Sequence, residues 1–408
     1  MKNVQSAKRM FMLIFGAFAV FFTGYPHIWS IYQPYVMKQT GWTSGQASMC
    51  FYLAILIFVF GNIVGGRMLN HFSPRLVVFV GGGIFSAGIL LSAFMMFPSP
   101  MPMYITYGLM QGFGQGMVYT SIVSAALKWF PERIGFASGV VVTANGLCGF
   151  FLTPLSRMIL QRYGVREAFL TVGILAAVSW ILASLFVGNP PEMAGYVPAP
   201  SEAAVHLSRG YSSDEMMCTR KFYLLLLTML FGLLSYFFLS PIAQTLQVER
   251  GISPAAAAGA VMMGSVVNAG VRLFLPTLAD RVGRVVCVEG VLAVCAAAMV
   301  LLMYEAPFLT MAATVAMYGC YGGIMGSFPS LTGSIFGLEH VGENYGYVMI
   351  GMVIAALGAP VVTNYVLKTG GSQEMIFLIG AVCAAAALGC LVLLSKELKH
   401  MAQGYQKA

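Results

Sequence analysis

Charge is what this 408-residue sequence has least of. Lys, Arg, Asp and Glu make up 9% of it, against about a quarter in a soluble domain. With 59% hydrophobic residues and a mean hydropathy of +0.81, the chain cannot cover itself with polar groups, which excludes a water-soluble globule. The spacings of common active sites are missing too. There is no HExxH, no glycine-rich phosphate loop, no Ser/His/Asp set and no CxxC. The eight cysteines (50, 148, 218, 287, 295, 320, 383 and 390) are scattered and sit mostly inside apolar runs. Such cysteines pack; they do not hold metals. Neither a metal, a cofactor nor an enzymatic activity is expected. The net charge of +8 forms no basic stripe, so nucleic acid is not an expected partner.

Long apolar runs are what is there. They predict twelve spans, each about twenty residues or more, near 10–36, 47–69, 76–97, 103–127, 136–156, 168–188, 221–247, 255–279, 285–304, 307–335, 345–367 and 375–395. The first run is too long for a signal-peptide core and lacks a small-residue cleavage site, so it reads as a retained span. Between spans six and seven lies the polar stretch 189–220, rich in Pro, Ser and acids. It reads as a linker between an N-terminal six-helix bundle (1–188) and a C-terminal one (221–408). Of the 22 Lys and Arg, 15 fall in the segments on the side of the N-terminus and six on the other side. That excess places both termini in the cytoplasm of a multi-pass cell-membrane protein.

The two halves echo each other. "GRMLNHFSPR" (66–75) follows span two and "PTLADRVGR" (276–284) follows span eight. "KWFPERIGFASG" (128–139) follows span four and "IFGLEHVGENYG" (335–346) follows span ten. Duplicated six-helix halves related by an axis along the membrane normal describe one large class of secondary transporter.

One basic residue stands outside every loop. Arg272 lies eight residues before Asp280, roughly 12 Å inside the boundary at 1.5 Å per residue. In a hydrocarbon core about 30 Å thick, that is close to the midplane. A charge there costs at least ~2.5–3.5 kcal/mol, so the residue should face a polar cavity or a partner. Of the 14 acids only Glu289 falls inside an apolar span, and it lies near the rim. The inventory favours an anionic ligand as the counter-charge; a structural role shared with Asn268, one turn away, is the alternative. Tyr119, His27, Tyr321 and Gln115 reach similar depths, and Trp29 and Tyr32 share the span-one stretch with His27. Asn62 and Asn145 fit better as glue between helices.

These stretches resemble the major facilitator superfamily. Its loop motif G-x-x-x-D-R-x-G-R is nearly intact at Asp280, Arg281, Gly283 and Arg284, with Pro276 at its first Gly. In the first half it is degraded to Gly66, Asn70, His71 and Pro74-Arg75. The resemblance implies an all-α membrane protein of twelve helices in two pseudo-symmetric bundles, working as a monomer by alternating access around a mid-depth site. It also implies that Asp280, Arg281, Gly283, Arg284 and Arg75 serve gating. "TGYPHIWSIYQPYV" (23–36), "GFGQGMVYTSIVSAALKWFPERIGFASG" (112–139), Arg272 and "GSFPSLTGSIFG…ENYGYV" (326–348) look like the oxalate:formate antiporter and monocarboxylate transporter branch. By that likeness Tyr119 stands at a ligand-contacting Tyr, Tyr321 at a cavity Trp and His27 at a Tyr.

Two departures shape the expected function. The antiporters pair the span-eight Arg with a Lys in span eleven, and alignment on NYG puts Met352 there, with Met349 replacing a nearby aromatic. One cation balances one carboxylate, and a dianion would leave a second charge poorly compensated. The eukaryotic-type monocarboxylate carriers have an Asp one turn before the Arg, where this chain has Asn268, which cannot titrate. The expectation is a transporter of short monocarboxylates of the formate, acetate, pyruvate or lactate class, with Arg272 holding the carboxylate. The alternatives are a dicarboxylate/monocarboxylate antiporter and an exporter of an unrelated solute. Coupling is open between anion exchange, His27 as proton carrier, and a proton carried on the substrate.

Overall fold

Among the residues described by the computed structural model, 2–190 and 210–407, every regular element is a helix. Most of the expected linker, 191–209, lies outside the described residues. Eleven helical segments are long and apolar enough to cross a membrane. The remaining span is helical from Met101 to Trp129 but passes through a π-helical segment, Tyr104–Gln111. The twelve-helix fold read from the hydropathy is the one observed.

In chain order, α1 (Lys2–Phe22) and α2 (Trp29–Thr40) form the first span. Spans two and three are α3 (Ser44–Met68) and α4 (Pro74–Ser92). The π-helical segment and α5 (Gly112–Trp129) make the fourth, followed by α6 (Ile134–Arg162) and α7 (Val165–Phe186). A short turn, α8 (Ser213–Met217), leads into α9 (Arg220–Leu239) and α10 (Ala243–Glu249), which form span seven. Then come α11 (Pro254–Val282), α12 (Arg284–Leu301) and α13 (Pro307–Phe336). The last two spans are α14 (Val341–Val348) with α15 (Ile350–Lys368), and α16 (Gln373–Lys407).

Helix starts follow local chemistry. Thr43 and Gln46 close a capping box on α3, and Ser212 and Glu215 do the same for α8. Ser73 and Ser253 cap α4 and α11, each followed by a proline that has no N–H to leave unsatisfied.

Residues 10–36 lie within one membrane-length segment, Ala7–Thr40, which is not α-helical throughout. The α-helix stops at Phe22, a 3-10 turn occupies Tyr25–Ile28, and the helix resumes at Trp29. Pro26 explains the break: it lacks an N–H and disfavours helical geometry at the residue before it. The second half repeats the device, where Pro241 sits in a 3-10 turn, Ser240–Ile242, between α9 and α10.

The chain divides into two compact units. One holds the residues up to the linker together with 337–347; the other holds the residues after the linker up to Phe336 and those from Val348 onward. In the first unit, α3 and α4 lie close along α5 because glycines line the contacts: a Cβ on Gly112 would sit 2.7 Å from the Ala54 carbonyl oxygen. In the second unit, α11 and α13 approach through Gly319, Gly322 and Gly326. Gly112 belongs to the stretch GFGQG, and Gly322 and Gly326 to YGGIMG; residues this small let helices approach closely.

Candidate functional site

Arg272 sits midway along α11 and is only 3% exposed. The glycines of α13 explain how a long cation fits there. A Cβ on Gly326 would lie 2.8 Å from the Arg272 carbonyl oxygen, and one on Gly322 would run into the Asn268 carbonyl. With glycine at these two positions, the backbone of α11 lies close on α13 and its arginine lands against an aromatic surface. The Arg272 guanidinium stands 5.2 Å from the centre of the Tyr321 ring, and its Nε donates to Asn268 Oδ1 at 2.8 Å. The ring face attracts the cation, and the amide fixes the plane of the fork.

Tyr321 is itself held. Its ring stacks on Tyr236 of α9 at 4.3 Å and 16°, and Tyr236 meets Tyr318 edge-on at 5.6 Å. Ser240, in the proline-broken turn of span seven, donates to the Tyr236 hydroxyl at 3.2 Å. Tyr236, Tyr318 and Ser240 are members of this cluster that sequence reasoning missed. No local pattern marks them, because they reach Arg272 through folding and not through spacing. Met352, also in the second unit, is buried at the start of α15.

The remaining candidates belong to the first unit. Tyr119 is buried on α5, edge-on to Phe58 at 5.4 Å. Trp29 and Tyr32 are in the unit's core: Trp29 Nε1 donates to the Ala47 carbonyl, and the Tyr32 hydroxyl donates to Ser156 Oγ at 3.0 Å. His27 is exposed in the 3-10 turn. Gln115 is occupied with the break in the first span. Its Nε2 donates to the Thr23 carbonyl at 2.6 Å, and its Oε1 accepts from Gln111 Nε2 at 3.1 Å. Thr23 Oγ1 in turn accepts from Asn145 Nδ2 at 3.0 Å, so Asn145 does join helices as expected of it.

Two measurements check these placements. Gln115→Ala leaves a buried carbonyl without its donor, which costs about 1–3 kcal/mol. The thermal unfolding midpoint should fall by about 1–4 °C, and an unchanged midpoint would contradict the bridging role. Gly322→Val forces α11 and α13 apart and should destabilise by about 1–3 kcal/mol through overpacking. A variant as stable as the parent would show that the close approach is not needed.

The loop motifs are well defined. Asp280 Oδ1 accepts from Arg284 Nη2 at 2.7 Å, across the end of α11. Gly283, at φ 112°, makes the turn between α11 and α12. Arg281 is exposed. Arg75 Nη2 donates to the Leu185 carbonyl at 3.0 Å, one of the last carbonyls of α7, where a cation is favoured by the helix dipole. In the degraded first-half motif, Asn70 stands where the motif has its acid, and the charge comes from Glu343. That buried carboxylate accepts from Arg67 Nε at 2.7 Å and from Asn70 Nδ2 at 3.0 Å. Arg67 Nη2 also donates to the Tyr347 hydroxyl at 2.6 Å, and Asn70 Oδ1 pairs with His340 Nδ1 at 2.9 Å. The contacts of Glu343 explain why 337–347 clusters with the first unit. A residue 276 positions from its partner leaves no local signal in the sequence. Among the described residues, no three His, Cys, Asp or Glu side chains gather as a metal site.

Comparison with known proteins supplies the context. The chain matches the family model described as Major Facilitator Superfamily over residues 10–334. It is 27% identical to an oxalate:formate antiporter of Oxalobacter formigenes over 397 residues, covering 93% of this chain and 90% of the relative. It is 28% identical to human monocarboxylate transporter 11, covering 84% of this chain and 72% of the relative. Among solved structures, FucP in its outward conformation, a Major Facilitator Superfamily transporter, superposes with a TM-score of 0.71 at 14% identity. That match covers 94% of this chain and 98% of that one, and it speaks for the fold alone.

Proposed function

We propose, starting from a chain that belongs to the major facilitator superfamily and to its oxalate:formate and monocarboxylate-like branch, that the cargo is a short monocarboxylate of the formate, acetate, pyruvate or lactate class. The protein is a multi-pass membrane transporter, and Arg272 is the residue that grips the carboxylate. The observation that carries this reading is a buried guanidinium at mid-span, oriented by Asn268 and backed by the Tyr321 ring. With its plane fixed through Nε, the Nη1 and Nη2 edge of the fork matches a carboxylate bidentately. An aromatic wall beside it favours a small apolar tail over a second charge. Movement is by alternating access, in a cell membrane with both termini cytoplasmic.

A second reading, exchange of a dicarboxylate against a monocarboxylate, draws on the antiporter relative. Met352 weighs against it, because a second cation is absent from that position in the sequence. Uptake into proteoliposomes tests the proposal. Labelled short monocarboxylates should accumulate, and oxalate should not. Acceleration by internal counter-anion would assign exchange; acceleration by an inward proton gradient would assign proton coupling. Equal uptake of a neutral solute and no uptake of any short acid would refute the proposal.

A further inference from the structure

The face of α11 that points away from Arg272 is also shaped. Val267, Gly270, Val271, Phe274, Leu278 and Arg281 line a shallow, open groove of about 670 Å³. They recur every three or four residues and so share one stripe of the helix. At about 100° per residue, Arg272 lies roughly 160° around the helix from Phe274. The stripe is apolar along its length, Phe274 is 72% exposed, and α11 is the least buried of the spanning helices. Its inner wall is closed by α13, since Gly319 faces Val267 and Val271.

Length and charge identify the occupant. From Val267 to Arg281 is fourteen residues, about 21 Å of helix. Half of a bilayer with its headgroups is about 20–22 Å, so the groove measures one lipid from mid-membrane to headgroup. At one end the groove meets a cation, Arg281, which suits an anionic headgroup. Arg281 is exposed at its mouth, and the neighbouring Asp280 accepts from Arg284. Gly270 keeps the floor open: nothing lies within 4 Å of where its Cβ would be.

We propose that this groove binds one anionic phospholipid, with an acyl chain along Val267–Leu278 and the phosphate at Arg281. The site belongs wholly to the second unit and is independent of the carboxylate assignment. In the orientation given by the basic residues, it faces the cytoplasmic leaflet, whose surface is negative.

The test is native mass spectrometry of the detergent-purified full chain titrated with dioleoyl phosphatidylglycerol or dioleoyl phosphatidylcholine. The parent protein should take its first phosphatidylglycerol at about fivefold lower concentration than phosphatidylcholine, the advantage one basic residue gains near an anionic headgroup. Arg281→Gln should remove that preference, and Arg281→Lys should keep it. Gly270→Phe places a ring in the groove from a position whose Cβ has open space around it, so it should weaken binding of both lipids. Circular dichroism verifies that each variant is folded, and the two substitutions probe headgroup and tail separately. No preference in the parent, an undiminished preference in Arg281→Gln, or unchanged lipid binding in Gly270→Phe would each overturn the proposal. So would a dimer in the parent that Gly270→Phe abolishes, which would give the groove to a second copy of the chain.

Discussion

Arg272→Gln should reduce carboxylate uptake by roughly a hundredfold or more while the protein still folds and inserts. Removing one partner of a buried, hydrogen-bonded charge pair costs about 2–5 kcal/mol, and each 1.4 kcal/mol is a factor of ten. Folding should survive, because the substitution removes a buried cation whose placement is itself unfavourable in a membrane. Arg272→Lys should recover little. A lysine keeps the charge but loses the planar fork, and with it the Nε that Asn268 Oδ1 accepts from at 2.8 Å. Uptake by purified variants in proteoliposomes, normalised to inserted protein, reads the effect. A glutamine variant that transports as the parent does would remove Arg272 from the binding site.

Met352→Lys tests the other half of the charge argument. Met352 is 4% exposed, so a lysine there is a buried cation seeking a counter-charge. A dianion offers one, and a monoanion bound at Arg272 does not. The ratio of oxalate to acetate uptake should rise by about tenfold or more, the equivalent of ~1.4 kcal/mol of differential binding. Oxalate should also raise the variant's unfolding midpoint while acetate does not, because a ligand that binds only the folded form stabilises it. An unchanged ratio in a folded variant would mean that position 352 does not face the anion.

How much of this was legible in the sequence depended on range. Hydropathy gave the twelve spans because crossing a bilayer is a local demand on length and apolarity. It did not show that the first span is broken, because an average over about twenty residues hides the polar dip at "TGYPHIWS". Only Pro26 marked the place, and the matching Pro241 in span seven makes that mark meaningful. That Arg272 lies inside a long helix followed from counting residues, and its bond to Asn268 from helical spacing. The stack of Tyr236 on Tyr321 could not be read, because the two are 85 positions apart and neither is unusual by itself. Glu343 looked like one more loop acid. Its role beside Arg67 and Asn70 appears only once the chain is folded, where it supplies the charge that the degraded first-half motif lacks.

Gln115 shows the same limit from the other side. A glutamine in an apolar helix is a candidate ligand contact by sequence, and in the fold its Nε2 donates to the Thr23 carbonyl while its Oε1 accepts from Gln111. A buried polar side chain serves a ligand or a broken backbone equally well, and hydropathy does not separate the two. Arg272 differs in kind, because a permanent cation at mid-span demands a compensating environment whatever its role.

The central claim is that the transported species carries one negative charge, and competition measures this most directly. Proteoliposomes holding the purified parent protein would take up labelled pyruvate in the presence of excess acetate, lactate, oxalate or acetamide. The account predicts that acetate and lactate suppress uptake, whereas oxalate, with its second charge, and acetamide, with none, leave it nearly unchanged. Suppression by acetamide as strong as that by acetate would show that the charge is not what is recognised. Suppression by oxalate as strong as that by acetate would show that a single cation is not the limit.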